Sequence, residues 1–284
     1  MSDGVLRMAT KACSKYGLLH VLGRGIEFAC LQTYPTAQVY RRVIPKYYTS
    51  RYDFDVHEYN SPIDPLRLRY VDPLKIDRFS ARKDLHSVRE AKYEIGSVIG
   101  GRWDTDDYSG RRYNTEKPLL YANTVSDTLL FQAMEKRYLE GCEWEETDFF
   151  KEITAYVDGS KQIWHGSTTK GDIKRRCEKI DTLYHNIEES GYLTQRELHG
   201  YRPSIDDSFG FLNERIDEIT VDLSRDGDFL LVDSKHRLAI ARLLEIDRVP
   251  VTVLVRHPRW MEHRDERFTS GRISDHPDFI EMQE

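Results

Sequence analysis

The stretch ITVDLSRDGDFLLVDSKHRLAIARLLEIDRVPVTVLVRH, residues 219–257, decides the fold. Its hydrophobic period changes along its length. Ile219, Val221 and Leu223 alternate with polar residues, as in a strand with one face buried. Arg225-Asp226-Gly227-Asp228 reads as a hairpin turn in which Gly227 supplies positive φ. FLLV, residues 229–232, is a continuous apolar strand. DSKHRLAIARLLE then reads as a helix with Asp233 or Ser234 as its cap, and VPVTVLVRH returns as a strand. The order is strand, turn, strand, short polar link, helix, strand.

The polar link, Asp233-Ser234-Lys235-His236-Arg237, lies where a strand feeds the first turn of a helix. Backbone N–H groups there lack intrahelical partners, and the helix dipole adds partial positive charge. Three basic side chains converge on the same turn, which makes it a phosphate cradle on physical grounds. Arg237 can grip a phosphate with two hydrogen bonds, and Lys235 acts as a mobile charge. His236 can donate a hydrogen bond or move a proton. The plainer alternative is a solvated cap.

Upstream, LRLRYV at 66–71 alternates like a strand and runs into DPLKIDRF, where Asp72 caps, Pro73 suits a first helical position, and Ile76 and Phe79 share a face. Residues 96–117 form a long loop containing Gly100-Gly101-Arg102-Trp103-Asp104. A helix capped by Ser126 or Asp127 is expected to reach Leu139, facing the core with Leu130, Ala133, Met134 and Leu139, and to stop at Gly141. Trp144 to Val157 reads as a second helix, closed by Asp158-Gly159. Trp144, set among acids in GCEWEET, either lines a substrate pocket or packs between helices. Ile173, Cys177, Ile180, Tyr184 and Ile187 recur at steps of four and three, the buried stripe of a long helix ended by Gly191. The charged residues after Trp260 are expected to fray.

The bulk numbers fit a soluble globular protein. Net charge is −6, so the strongly basic field of a dedicated DNA binder is absent. The charge is unevenly spread. Residues 1–52 carry eight basic side chains against Asp3 and Glu27, a net of +6, leaving −12 for the remainder. With Tyr34, Tyr40, Tyr47, Tyr48 and Tyr52 interleaved, this arm either packs on the main domain or meets an anionic lipid or nucleic acid. Four widely spaced cysteines without a CxxC pair exclude a zinc ribbon or dithiol redox pair. No secretory signal is read, so the expected location is cytoplasmic, with peripheral membrane contact through residues 1–52 as an option.

The 219–257 stretch resembles the ParB/sulfiredoxin-like superfamily. Its box of strand, Gly-x-His-Arg-type turn and helix is matched by DSKHRLAIA through His236, Arg237 and Ala239 to Ala241. LRYVDPLKIDRF and YHNIEESGYLTQREL resemble the family's earlier elements, so the likeness covers about 66–80 and 180–257. The box departs from the pattern at Ser234, where the family usually has glycine. Lys235 stands where sulfiredoxins place their catalytic cysteine, which disfavours that chemistry. Only a short charged stretch follows the last strand, so sequence-specific DNA partition through a helix-turn-helix is not expected.

The resemblance implies an α+β fold: a small mixed sheet with packed helices at 66–258, a helical insertion at 96–175, a basic arm and connector at 1–65, and a charged tail at 259–284. It further implies nucleotide binding (ATP, ADP or CTP) with Mg²⁺. The activity would be phosphoryl transfer to a small-molecule or lipid-linked acceptor, or nucleotide hydrolysis. The expected phosphate ligands are Asp233, Ser234, Lys235, His236, Arg237 and Arg102. Phosphoryl transfer usually needs a carboxylate base. No glutamate stands in DPLKIDRFSARK, where kinase members of the family carry one, so Asp104 or Asp77 is expected, with His236 as a further catalytic candidate. No resident metal site is read. The competing reading is a nucleic-acid-associated switch or nuclease of the same superfamily, bound through the basic arm.

Overall fold

The computed structural model describes residues 26, 29–30, 33–51, 53–82, 92–107, 119–157, 163–199, 211–272 and 274–283. Expectations for residues 1–25, for Tyr52, for 108–117 of the long loop and for the Asp158-Gly159 helix stop lie outside them. The chain divides into two units, 1–53 with 195–215, and 54–194 with 216–284. The described helices are α1 (Tyr34–Arg51), α2 (Leu129–Leu139), α3 (Asp148–Ala155), α4 (Lys170–Ser190), α5 (Gln195–His199), α6 (Phe211–Ile216), α7 (Lys235–Leu243) and α8 (Pro258–Thr269). The strands are β1 (Arg69–Val71), β2 (Ser97–Val98), β3 (Ile219–Leu223), β4 (Phe229–Asp233) and β5 (Val249–Arg256).

In the first unit, α1 buries Ala37 and half-buries Tyr40, Ile44 and Tyr48 along one face, at the spacing a helix stripe requires. In the second unit the five strands make one mixed sheet, so the protein is α+β. β5 is its axis. One edge of β5 pairs with β1, antiparallel at Val249–Val251, and further along with β2, parallel at Val255 and Arg256. The other edge runs parallel to β3, which forms an antiparallel hairpin with β4. Gly227 turns that hairpin at φ 91°, and a Cβ there would sit 2.4 Å from the Trp260 ring, so only glycine fits.

Every residue of β3 and β5 is buried, not only the alternate ones. The polar face of β3 is covered by an ion pair. Asp222 accepts from Ser80 Oγ at 2.6 Å, Arg82 Nε at 2.8 Å and, across a register shift, the Val255 amide at 3.2 Å. The apolar face packs on α7, which packs in turn on α2 and α4, and the sheet, α2, α3, α4 and α7 share one continuous core. The expected stripe of α4 is buried at all five positions, and Gly191 follows the helix at φ 75°. The expected helical insertion therefore shares the sheet's core.

Several local expectations need correction. DPLKIDRF makes only a 3₁₀ turn, Pro73–Lys75, with Asp72 Oδ1 accepting the Leu74 amide at 2.9 Å. Arg78 and Phe79 then extend, bridging to Thr124 and Leu231. Thr128, rather than Ser126 or Asp127, caps α2 by accepting the Phe131 amide at 3.2 Å. Leu139 is 63% exposed and does not face the core. The second helix splits at Thr147, which ends a 3₁₀ turn at Trp144–Glu146 and caps α3.

The expected fraying tail is the largest correction. Pro258–Thr269 is helix α8, and Phe279 is buried in the core. Asp278, fully buried, accepts from Arg256 (2.6 Å), Arg69 (3.3 Å), Arg264 (3.3 Å) and the Trp260 indole (2.9 Å). Three guanidiniums from β1, β5 and α8 thus hold the C-terminal residues against the end of the sheet.

Candidate functional site

At the end of β4 the backbone turns through Ser234, which adopts φ 70° and ψ 35°. This left-handed conformation costs a side-chain-bearing residue about 1 kcal/mol and suits glycine better. Ser234 is held there by its Oγ, which donates to the Glu218 carbonyl at 3.0 Å. With its hydroxyl engaged, Ser234 makes no side-chain cap on α7.

Lys235 is buried, its Nζ 4.0 Å from the centroid of the Tyr121 ring. His236 is only half-buried by area, yet its Nε2 is sealed from solvent and has no hydrogen-bond partner. Its ring lies 5.9 Å from that of Trp164. Trp164 begins the tip of a narrow hairpin closed by two backbone bonds between Ile163 and Ser167, at 3.0 and 2.8 Å. Trp164, His165 and Gly166 all take positive φ, at 43°, 59° and 84°. Two successive non-glycine residues in that region store strain of the kind that clusters at functional sites. Arg176, on α4, fixes the turn by donating to the His165 carbonyl at 3.1 Å, with its guanidinium 5.7 Å from the Trp164 ring.

Positive charge dominates the electrostatics of this group, with Asp233 opposing it. Burial, reinforced by Lys235, His165 and Arg176, pushes the His236 imidazolium pKa well below its ordinary value. Burial, Arg176 and Lys235 lower that of His165 in the same way, with Asp233 opposing. Burial first, and then the two neighbouring cations, thus favour the neutral form of both rings. A neutral imidazole still donates one N–H, so the group offers cations and donors to an anion.

Asp233, Ser234, Lys235 and His236 share the start of α7, as the sequence predicts. Arg237 does not join them. Its guanidinium turns into the protein, donating to Glu218 Oε2 at 3.1 Å, the Leu193 carbonyl at 2.6 Å and the Asp217 carbonyl at 3.3 Å, and it lies 4.5 Å from the Tyr192 ring. Successive helix residues point about 100° apart, so three in a row cannot all face one ligand. Arg237 locks α7 to its neighbours, and the expected phosphate grip is corrected accordingly.

The carboxylates stand elsewhere. Asp104 sits at the tip of the β3–β4 hairpin, about 17 Å along the strands from the α7 start. Arg225 binds it through its amide and both guanidinium edges, at 2.9, 2.7 and 2.8 Å. Burial pushes its pKa up, but those bonds and His257 outweigh it and bring the carboxyl to about 2. With its oxygens occupied, it is no general base. Arg102, 80% exposed, pairs with Asp106 at 3.2 Å. Asp77 pairs with Arg242 at 3.0 Å, in the last turn of α7, about 10 Å along the axis from its start. None of these three reaches the cradle. Trp144 takes the packing alternative: its indole donates to Asp181 at 2.9 Å beside the stacked Tyr138 and Tyr184 rings. Cys177, buried on the α4 stripe, has its thiol pushed up to about 12 by burial and the neighbouring acids, and is inert.

Sequence reasoning missed Tyr121, Trp164, His165 and Arg176. The one local signal was Trp164-His165-Gly166, an aromatic and a titratable residue before a glycine. Arg176 reads as an ordinary polar-face residue of α4.

The chain is thus an α+β protein with a cationic, strained group where β4 meets α7. No protein-family model matches it, and neither a curated protein nor a solved structure shows significant similarity to it. Among the described residues, no helix is long and apolar enough to cross a membrane.

Proposed function

We propose that the protein binds a phosphorylated ligand, a nucleotide first among candidates, at the start of α7. One observation carries the reading: the sealed, unpartnered Nε2 of His236 beside Lys235, His165 and Arg176, at a helix start that Ser234 does not cap. A buried polar atom without a partner costs free energy that a ligand oxygen would recover. Lys235 and Arg176 would neutralise phosphate charge, and His236 would donate to an oxygen.

The likeness of DSKHRLAIA to the ParB/sulfiredoxin-like box supports the same location. Ser234 holds the left-handed conformation that a glycine at that position would adopt freely. Under this reading the protein is a phosphotransferase or nucleotide hydrolase in which a neutral His165 or His236, rather than Asp104 or Asp77, moves the proton. Among the described residues no three His, Cys, Asp or Glu side chains gather to hold a metal. A Mg²⁺ ion would therefore arrive on the nucleotide's own phosphates.

The test is isothermal titration of ATP, ADP, CTP and GTP, each with Mg²⁺, into wild type, Lys235→Ala and Arg176→Ala. One nucleotide should bind, with affinity lowered at least about tenfold in each variant, the loss expected for one charged contact. Failure of all four to bind, or binding that both variants leave intact, rejects the assignment.

A further inference from the structure

Helix α1, in the first unit, exposes what helices of water-soluble domains usually hide. Its inner face is set by Ala37, Tyr40, Ile44 and Tyr48. On the opposite face Val39 and Val43, one turn apart, are 63% and 57% exposed. Arg42 and Lys46, also exposed, lie on that same face at the intervening helical positions. Tyr47 continues the apolar row one turn beyond Val43, half of it in contact with solvent. The helix runs for 18 residues and contains no Asp or Glu, against Arg41, Arg42, Lys46 and Arg51.

We propose that this face of α1 docks flat on an anionic lipid bilayer. The pattern suits a helix lying in the interface, with its aliphatics reaching the acyl boundary and its cations at the headgroups. Arg42 and Lys46 have stems long enough to bury their methylenes while holding their charges at headgroup level. A nucleic-acid partner would satisfy the two cations but leave Val39 and Val43 without apolar contact. The exposed aliphatics decide between the two. The proposal is independent of the α7 site and stands or falls separately from it.

The experiment is co-sedimentation of the full chain with phosphatidylcholine vesicles, with and without phosphatidylserine. Wild type should pellet with the phosphatidylserine-containing vesicles and release as salt rises. Each removed cation should weaken partitioning roughly fivefold, so Arg42→Gln with Lys46→Gln should weaken it about 25-fold. Val39→Ser with Val43→Ser should also release the protein while leaving its melting temperature unchanged. The proposal is overturned if the anionic vesicles do not pellet the protein or neutral vesicles pellet it equally. It is equally overturned if either double variant binds as wild type, or if a DNA duplex is retained with an affinity that the valine substitutions leave intact.

Discussion

Replacing Asp278 with asparagine keeps the shape of the side chain and removes its charge. In the native protein that carboxylate is the shared acceptor of Arg69, Arg256 and Arg264, all with side chains at most 1% exposed. Without it, Arg69 keeps Glu281 at 2.6 Å, Arg264 keeps the Pro62 carbonyl at 2.8 Å, and Arg256 keeps no described acceptor. Breaking a buried ion pair from one side costs about 3–5 kcal/mol, because the surviving charge stays buried. Two arginines stranded together place Asp278→Asn toward the upper end. At roughly 2–4 °C per kcal/mol for a domain of this size, the melting temperature should fall by roughly 10–20 °C. Thermal melts followed by circular dichroism at pH 7 would measure this, with the exposed Glu266→Gln as a control that should barely move. The pH dependence adds a second check. Burial pushes the Asp278 carboxyl pKa up, but Arg256 and Arg264 outweigh it and hold the group far below the usual carboxylate range. A depressed folded pKa contributes stability that is complete above the unfolded value of about 4 and is lost as the pH falls below it. The gap between wild type and Asp278→Asn should therefore narrow in acid. A drop of only a degree or two at pH 7, or a gap that widens in acid, would refute the argument that this carboxylate secures the C-terminal residues.

Gly227→Ala places a Cβ 2.4 Å from the Trp260 ring at a φ of 91°, and should cost about 2–3 kcal/mol in urea unfolding. Ser234→Gly relieves left-handed strain of about 1 kcal/mol but loses a hydrogen bond of similar worth, so its urea midpoint should stay near wild type. Ser234→Val, β-branched and without a hydroxyl, should be clearly less stable than either. Asp104→Asn should lower the melting temperature yet leave nucleotide affinity in the titration unchanged, whereas a weakened affinity would return Asp104 to the site. Because His165 and His236 are depressed in the folded state, the unfolded chain takes up more protons below about pH 6.5. Stability should be full above that pH and decline beneath it, and His236→Asn should flatten the decline in pH-dependent melts.

What could be read from the sequence follows the range of the interactions involved. The α4 stripe, the Gly191 stop and the turn at Gly227 are set by neighbours a few residues away, and their periods identify them directly. Asp278 could not be recognised in this way. Its partner Arg69 lies 209 residues earlier, and in one dimension the segment around it is simply rich in charge. The site divides along the same line. Lys235 and His236 announce a helix start, but the groups that surround it arrive from Tyr121, from the strained hairpin at Trp164-His165 and from Arg176. Arg237 was misplaced because a run of basic residues looks like one cluster until the helix turns each to a different side. The helix expected after Asp72 yielded to tertiary pairing, since Arg78 and Phe79 gain backbone bonds to Asn123 and Leu231 by extending.

That last pairing has a consequence for how the molecule behaves in company. The outer margin of a sheet is normally open to any extended chain that drifts past. Along β4 the Leu231 amide donates to the Arg78 carbonyl at 2.8 Å, and the Leu231 carbonyl accepts from Ser80 at 2.9 Å. The strand that delivers the candidate site is thus already hydrogen-bonded by its own chain at Leu231. A stray peptide, or another copy in a crowded solution, would have to displace residues 78–80 before it could add itself there.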